Sequence, residues 1–289
     1  MITETLPFDQ DSQSRFAAEP VLKWAGGKTQ LLPRLQAFFP KQFGTYFEPF
    51  VGSGAVFFFL RRLYGSFPAE LGDANAELIN CYQVLRNELG SLIPAIEKHH
   101  DSHSLEHYYH VRRLDPTKLS SVERAARLIY LNKTCYNGLY RVNARGEFNV
   151  PVGSYKNPRI YDERSMAAVA DALKGAQLKV ADFSDVCDRA KARDFIYMDP
   201  PYYSETTGFT GYAVSALGEP RFGADEHRRL FQVATDLANR GCYVVVSNSD
   251  TFYIRRLYKD FHIHTVEARR AINSNGAGRG PVKELVITN

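Results

Sequence analysis

Apolar residues in this chain form short continuous runs that alternate with longer stretches where they recur every three or four positions. The runs predict buried strands and the longer stretches amphipathic helices. "TYFEPF" (45–50) is a short aromatic strand, "VGSG" a turn, and "AVFFFLRRL" a buried helix. "AELGDAN" gives a second strand ending at Asp73, and "AELINCYQVLRNELGSLIPAIEKHH" reads as one long amphipathic helix. Two further strands, "QLKVADF" (177–183) and "DFIYMDPPYY" (194–203), each close on an acidic residue. "HRRLFQVATDLANRG" is a helix stopped by Gly241, followed by the buried strand "CYVVVSNSD". "HIHTVEA" and "KELVITN" form a closing pair of strands around a flexible "NSNGAGRGP". Strands alternating with helices predict an α/β fold with a doubly wound, mostly parallel sheet. Ligands on such sheets bind at the carboxyl ends of the strands, where Asp73, Asp182 and Asp199 all fall.

The stretch from about 81 to 165 breaks this rhythm. It offers helices and then the turn-rich "NGLYRVNARGEFNVPVGSYKNPR", in which Ala144-Arg145-Gly146 between "LYRV" and "EFNV" predicts a hairpin. Residues 20–80 and 166–289 then make one domain, 81–165 an insertion, and 1–19 a polar, frayed tail. Charge follows the same division. The chain carries a formal net charge of +4. Residues 81–165 hold 13 Lys and Arg against 9 Asp and Glu, and the remainder holds 23 of each. A basic insertion in a neutral frame suits a polyanion.

At 289 residues, with 44% hydrophobic and 24% charged residues, the composition is that of an ordinary globular protein. No apolar run reaches the roughly 20 residues that span a bilayer, and the N-terminus lacks the pattern of a signal peptide. Cys81, Cys135, Cys187 and Cys242 are scattered, which fits a reducing, cytoplasmic setting with neither a disulfide framework nor a zinc site.

"LKWAGGKTQLL" (22–32) contains a Gly-Gly-Lys-Thr reminiscent of a phosphate-binding loop. That loop needs a glycine five residues before the second one, where Leu22 stands, so the template fails. "DPPYY" (199–203) carries more information. Two prolines have no N–H and hold the backbone extended, leaving carbonyls unpaired. Asp199 and the Pro200 carbonyl together can accept both hydrogens of an exocyclic amino group, and Tyr202 offers a face for a planar base. The bland alternative is a proline turn that merely ends a strand. In "FEPFVGSG" (47–54), Gly52 and Gly54 let a cofactor approach the backbone, but Phe57 replaces the third glycine of a dinucleotide fingerprint. Asp73 is placed to bind ribose hydroxyls, and Asp182 with Phe183 to border an adenine. A nucleoside cofactor without a pyrophosphate fits better than a nicotinamide dinucleotide.

The ordered set "KWAGGK", "FEPFVGSGAV", "GDAN", "ADF" and "DPPYY" resembles the Dam-type, D12-class DNA adenine-N6 methyltransferases, close to the DpnM-like members, over residues 20–289. The resemblance implies S-adenosyl-L-methionine as cofactor, bound by Trp24, Lys28, Phe50, Gly52, Gly54, Asp73, Asp182, Phe183 and Asp199. It implies a target-recognition role for 81–165, with Tyr136, Asn137, Leu139, Arg141, Asn143 and Pro151 on double-stranded DNA. Arg141 would read a guanine in the major groove and Tyr136 would wedge into the base stack, within GATC sites and with the adenine flipped. No metal is implied, and pairing with a restriction endonuclease is left open. His99, His103 and His107, at i, i+4 spacing, read as a solvated helix face rather than a zinc site. The rival readings are an RNA or other amino-group methyltransferase, a nicotinamide-dependent oxidoreductase, and a non-catalytic DNA-binding module.

Overall fold

A computed structural model of the chain describes residues 18–143, 145–205, 222–269 and 281–289. Seven strands form one sheet: β1 (Tyr46–Glu48), β2 (Ala69–Asp73), β3 (Ala176–Val180), β4 (Phe195–Met198), β5 (Tyr243–Ser249), β6 (His262–Arg269) and β7 (Pro281–Thr288). Their order is β3-β2-β1-β4-β5-β7-β6. The first five are parallel, and β7 runs antiparallel between β5 and β6. The fold is thus the expected doubly wound α/β sheet, with the closing pair of strands at one edge. The flexible segment expected between that pair lies largely outside the described residues. Strand order reverses at β1, which pairs with β2 on one side and β4 on the other. The crevice beyond this switch point is where such sheets bind ligands.

The two-residue period of the strands divides the core between the two faces. Tyr46, Tyr197, Val245 and Val286 point into one apolar cluster, while Phe47, Ile196, Met198, Val246 and Ile287 point into the other. The second face is covered by α8 (Ala224–Asn239), through Leu230, Ala234 and Leu237. The first is covered by α1 (Ala55–Tyr64) and by helices lying between β2 and β3: α2 (Ala76–Asn87), α3 (Leu89–Asp101), α4 (Leu105–Arg113), α5 (Ser121–Thr134) and α6 (Glu163–Ala172). Leu92, Ile96, Tyr108, Val111 and Ile129 from these helices share one continuous core with the sheet.

The single helix expected over 76–100 is two helices, parted at Glu88, whose φ of −134° and ψ of 31° leave the helical region. Gly90 and Pro94, both poor helix residues, follow the break. The histidines do not share one helix face either: α3 ends at Asp101 and α4 starts at Leu105. The corner brings His99 Nδ1 within 3.1 Å of His107 Nε2 and seats His103 Nδ1 2.9 Å from the Tyr130 hydroxyl. Burial pushes His99 down to about 4 and lowers His103 and His107 as well, so the cluster is neutral near pH 7. Among the described residues no helix is long and apolar enough to cross a membrane, and no group of three His, Cys, Asp or Glu is arranged to hold a metal ion.

Candidate active site

The prolines end β4 at Met198, so Asp199 stands where the chain leaves the sheet. Two sets of contacts hold the segment. Tyr203 N donates to Asn248 Oδ1 at 3.2 Å, Ser249 Oγ donates to Tyr203 O at 2.6 Å, and the Tyr203 ring stacks on Tyr253 with centroids 4.4 Å apart. On the other side Lys28, only 3% exposed, places its ammonium 2.7 Å from Asp199 Oδ2 and 2.6 Å from Gly26 O. The same ammonium lies 4.8 Å over the Tyr202 ring. Burial lifts the Asp199 carboxyl to about 6 against the opposing pull of Lys28. The Tyr202 hydroxyl donates to Glu284 Oε2 at 2.7 Å. Asp199 Oδ1 is shielded by protein yet has no hydrogen-bond partner among the described residues. A buried carboxylate oxygen without a donor is costly unless a ligand supplies one.

The turn after β1 lies alongside. Gly52 adopts φ +47°, and a Cβ there would sit 3.0 Å from Trp24 Cδ1, so only glycine lets the indole lie on the backbone. Gly52 N and Asn75 N donate to the two oxygens of Asp73 at 3.2 and 2.9 Å. Burial nonetheless raises Asp73 to about 6. Gly54 occupies the cap of α1, and Phe57, at the place of the missing third glycine, is fully buried core. Trp24, Lys28, Gly52, Asp73 and Asp199 are therefore gathered by direct contacts at the carboxyl ends of the strands.

Asp182 lies just past β3 and caps the short helix α7 (Phe183–Cys187), with Ser184 N and Oγ donating to Oδ1 at 2.9 and 2.6 Å. Phe50 and Phe183 stack at 5.5 Å, and Phe222 packs edge-on against Phe50 at 5.7 Å. Sequence reasoning missed Arg229, which ion-pairs with Asp182 and lays its guanidinium 4.3 Å over Phe183. Burial favours the neutral Asp182 carboxyl, but Arg229 and Ser184 outweigh it and hold the pKa below the ordinary range. Glu284 was missed too. It belongs to β7, eighty-two residues beyond Tyr202, and its only signal was an acid within a closing strand, beside Lys283.

The expected hairpin is present. Val142 bridges Phe148, Asn143 N donates to Glu147 O at 2.9 Å, and Asn143 Oδ1 accepts from Arg145 N and Glu147 N. Tyr136 is exposed and its N–H donates to Pro151 O at 2.9 Å. Asn137 takes the left-handed conformation with φ 55°, Leu139 packs on the core, and exposed Arg141 bonds Asn149 Oδ1 at 2.7 Å. A second basic element lies near: Lys133 is half-buried, and its pKa is lowered by burial and by Lys23 and Arg159.

The sequence of this chain is similar, over nearly its whole length, to a set of known DNA methyltransferases. The family model of the D12 class N6 adenine-specific DNA methyltransferases matches residues 24–272. The type II methyltransferase M1.LlaDCHI of Lactococcus lactis subsp. cremoris is 38% identical over 285 residues, covering 96% of this chain and 97% of its own. The type II methyltransferase M.MjaIII of Methanocaldococcus jannaschii is 40% identical over 290 residues, covering 94% and 99%. The DNA adenine methylase of Escherichia coli K12 is 35% identical over 272 residues, covering 92% and 93%. Such identity over nearly the whole length leaves no room for a shared motif on a different scaffold, and the chain belongs to the D12 class of N6 adenine-specific DNA methyltransferases.

Proposed function

We propose that this DNA adenine methyltransferase uses S-adenosyl-L-methionine, acts on GATC in duplex DNA, and flips the target adenine into the crevice beside Asp199. The observation that carries the reading is the Asp199 carboxylate: one oxygen is held by Lys28 and the other is buried without a partner. An unpaired carboxylate oxygen there suits one N–H of the adenine amino group. The Pro200 carbonyl takes the second hydrogen, and Tyr202, fixed by Glu284, stacks on the base. Base flipping costs a few kcal/mol, which stacking worth about 1–3 kcal/mol helps to offset.

S-adenosyl-L-methionine, when bound, supplies a methyl group on a sulfonium. Two features support the fit: glycine at position 52 lets the Trp24 indole lie against the backbone as a flat wall, and half-buried Asp73 faces the same turn. Trp24, Lys28, Gly52 and Gly54 would enclose its methionine end, Asp73 its ribose, and Phe50, Asp182 and Phe183 its adenine. With both N6 hydrogens accepted, the nitrogen lone pair is drawn out of conjugation and becomes nucleophilic. Methylated N6 must shed one proton, and Asp199, with a pKa of about 6, can take it at Oδ1.

Residues 81–165 serve as the target-recognition part. Tyr136, Asn137, Leu139, Arg141, Asn143 and Pro151 meet the bases, while Lys23, Lys133 and Arg159 neutralise phosphates. Because two relatives are named type II methyltransferases, a cognate restriction endonuclease is the proposed functional partner. Four free, buried cysteines suit the cytoplasm. Tritiated methyl transfer to unmethylated plasmid tests the reading, followed by digestion with GATC-cleaving enzymes to name the site. Asp199→Ala abolishes transfer while cofactor binding largely survives. Turnover like that of the wild type in this variant would refute the assignment.

A further inference from the structure

The recognition hairpin and the cofactor crevice are joined by contacts that neither role requires on its own. Tyr140, between Leu139 and Arg141 of the hairpin, stacks on Trp24 with ring centroids 5.2 Å apart and planes 21° from parallel. Trp24 in turn lies on the backbone of Gly52, so the indole is sandwiched between the hairpin and the glycine turn. A second tie runs through Asn132 on α5, which is 1% exposed. Its Oδ1 accepts from Lys23 N at 2.9 Å, and its Nδ2 donates to Lys23 O at 2.8 Å and Gly138 O at 3.0 Å. One side chain thereby holds both the residue before Trp24 and the segment that enters the hairpin.

We infer that Tyr140 and Asn132 couple the two substrates, so that duplex DNA seated on the hairpin tightens the cofactor site and bound cofactor tightens the hairpin on DNA. The inference rests on the proposed roles of the crevice and the hairpin. Ordering of Tyr140 by DNA restricts Trp24 before the cofactor arrives, and the cofactor then loses less freedom on binding. Linkage makes the effect reciprocal. Aromatic stacking and a fully satisfied buried amide supply the physical path between the two sites.

Trp24 is the only tryptophan in the chain, so its emission reports the stack directly. A GATC duplex added without cofactor is expected to shift that emission, and an unchanged spectrum at saturating duplex would overturn the inference. Calorimetry with the unreactive S-adenosylhomocysteine, with and without the duplex, gives the coupling as a ratio of dissociation constants. The expected ratio is at least about fivefold in the wild type, near the low end of typical couplings. It falls towards one in Tyr140→Leu, is restored in Tyr140→Phe, which keeps the ring, and drops in Asn132→Asp, which loses both amide donor bonds. A ratio of one in the wild type, or an undiminished ratio in Tyr140→Leu, overturns the coupling. A wild type that binds neither ligand overturns the functional reading itself, whereas binding of both without coupling overturns this inference alone.

Discussion

Replacing Lys28 by methionine keeps the side-chain stem beside Tyr202 and removes one buried charge. That charge lies 2.7 Å from Asp199 Oδ2, where attraction between unit charges amounts to about 6 kcal/mol at an effective dielectric constant near 20. Most of this is opposed by desolvation and relaxation, and loss of an opposite charge at such range typically moves a carboxyl by roughly 1–3 pH units. Burial already holds Asp199 at about 6, with Lys28 pulling it down. Removing the cation therefore raises the value further. In the proposed mechanism the carboxylate is the form that accepts an N6 hydrogen, so activity is expected to be lost as pH falls through this pKa. For a rise in the middle of that range the ionised fraction of Asp199 at pH 7 falls roughly tenfold, and the rate falls with it. It recovers by about pH 9 to 10, because the carboxylate is restored there. Single-turnover methyl transfer at saturating substrates, followed across the pH range, separates this effect from any loss of cofactor affinity. An acid limb that stays where the wild type has it, or moves down, would refute the electrostatic argument.

Two further perturbations probe the walls of the crevice. Gly52→Ala combines φ +47° with a Cβ 3.0 Å from Trp24, a strain of about 1–2 kcal/mol; it is expected to weaken S-adenosylhomocysteine binding about tenfold, and unaltered binding by calorimetry would count against the crevice. Arg229→Ala releases Asp182, whose depressed carboxyl stabilises the fold above its unfolded pKa and loses that contribution as pH falls through its lower folded value. The melting-temperature gap between wild type and Arg229→Ala should thus be present at pH 7 and shrink below about pH 4; a gap independent of pH would contradict the pairing.

The strands were legible because β4 and β5 are continuous apolar runs, and because the prolines after Met198 and the glycines after Glu48 mark where the chain leaves the sheet. The break at Glu88 was not legible. Leu78, Ile79 and Tyr82 before it and Leu92 and Ile96 after it all face one core, so the apolar period runs on through the corner. The site divides in the same way. Asp199, Lys28 and Asp73 stand in short motifs whose spacing carries their chemistry. Arg229, Glu284, Asn132 and Tyr140 meet their defining partners 47, 82, 109 and 116 positions away. No local pattern distinguishes them from surface charges or from an ordinary aromatic, because their meaning lies in the sheet order.

That order also explains the electrostatic character of the crevice. Glu48, Asp73 and Asp199 come from β1, β2 and the end of β4, which the switch point makes neighbours. Burial raises the pKa of all three, and Glu48 is raised further by Asp199 and Asp73 even though the Tyr46 hydroxyl donates to it at 2.9 Å. A fold would be more stable with fewer buried acids at one place. Lys28 neutralises part of the excess, and the remainder favours any ligand that brings positive charge and hydrogen-bond donors. The proposed donor has both, a sulfonium and an amino group, and its demethylated product has lost the sulfonium charge. Such a crevice would hold the cofactor more tightly before transfer than after it, so the same carboxyls that strain the empty protein would help the product to leave.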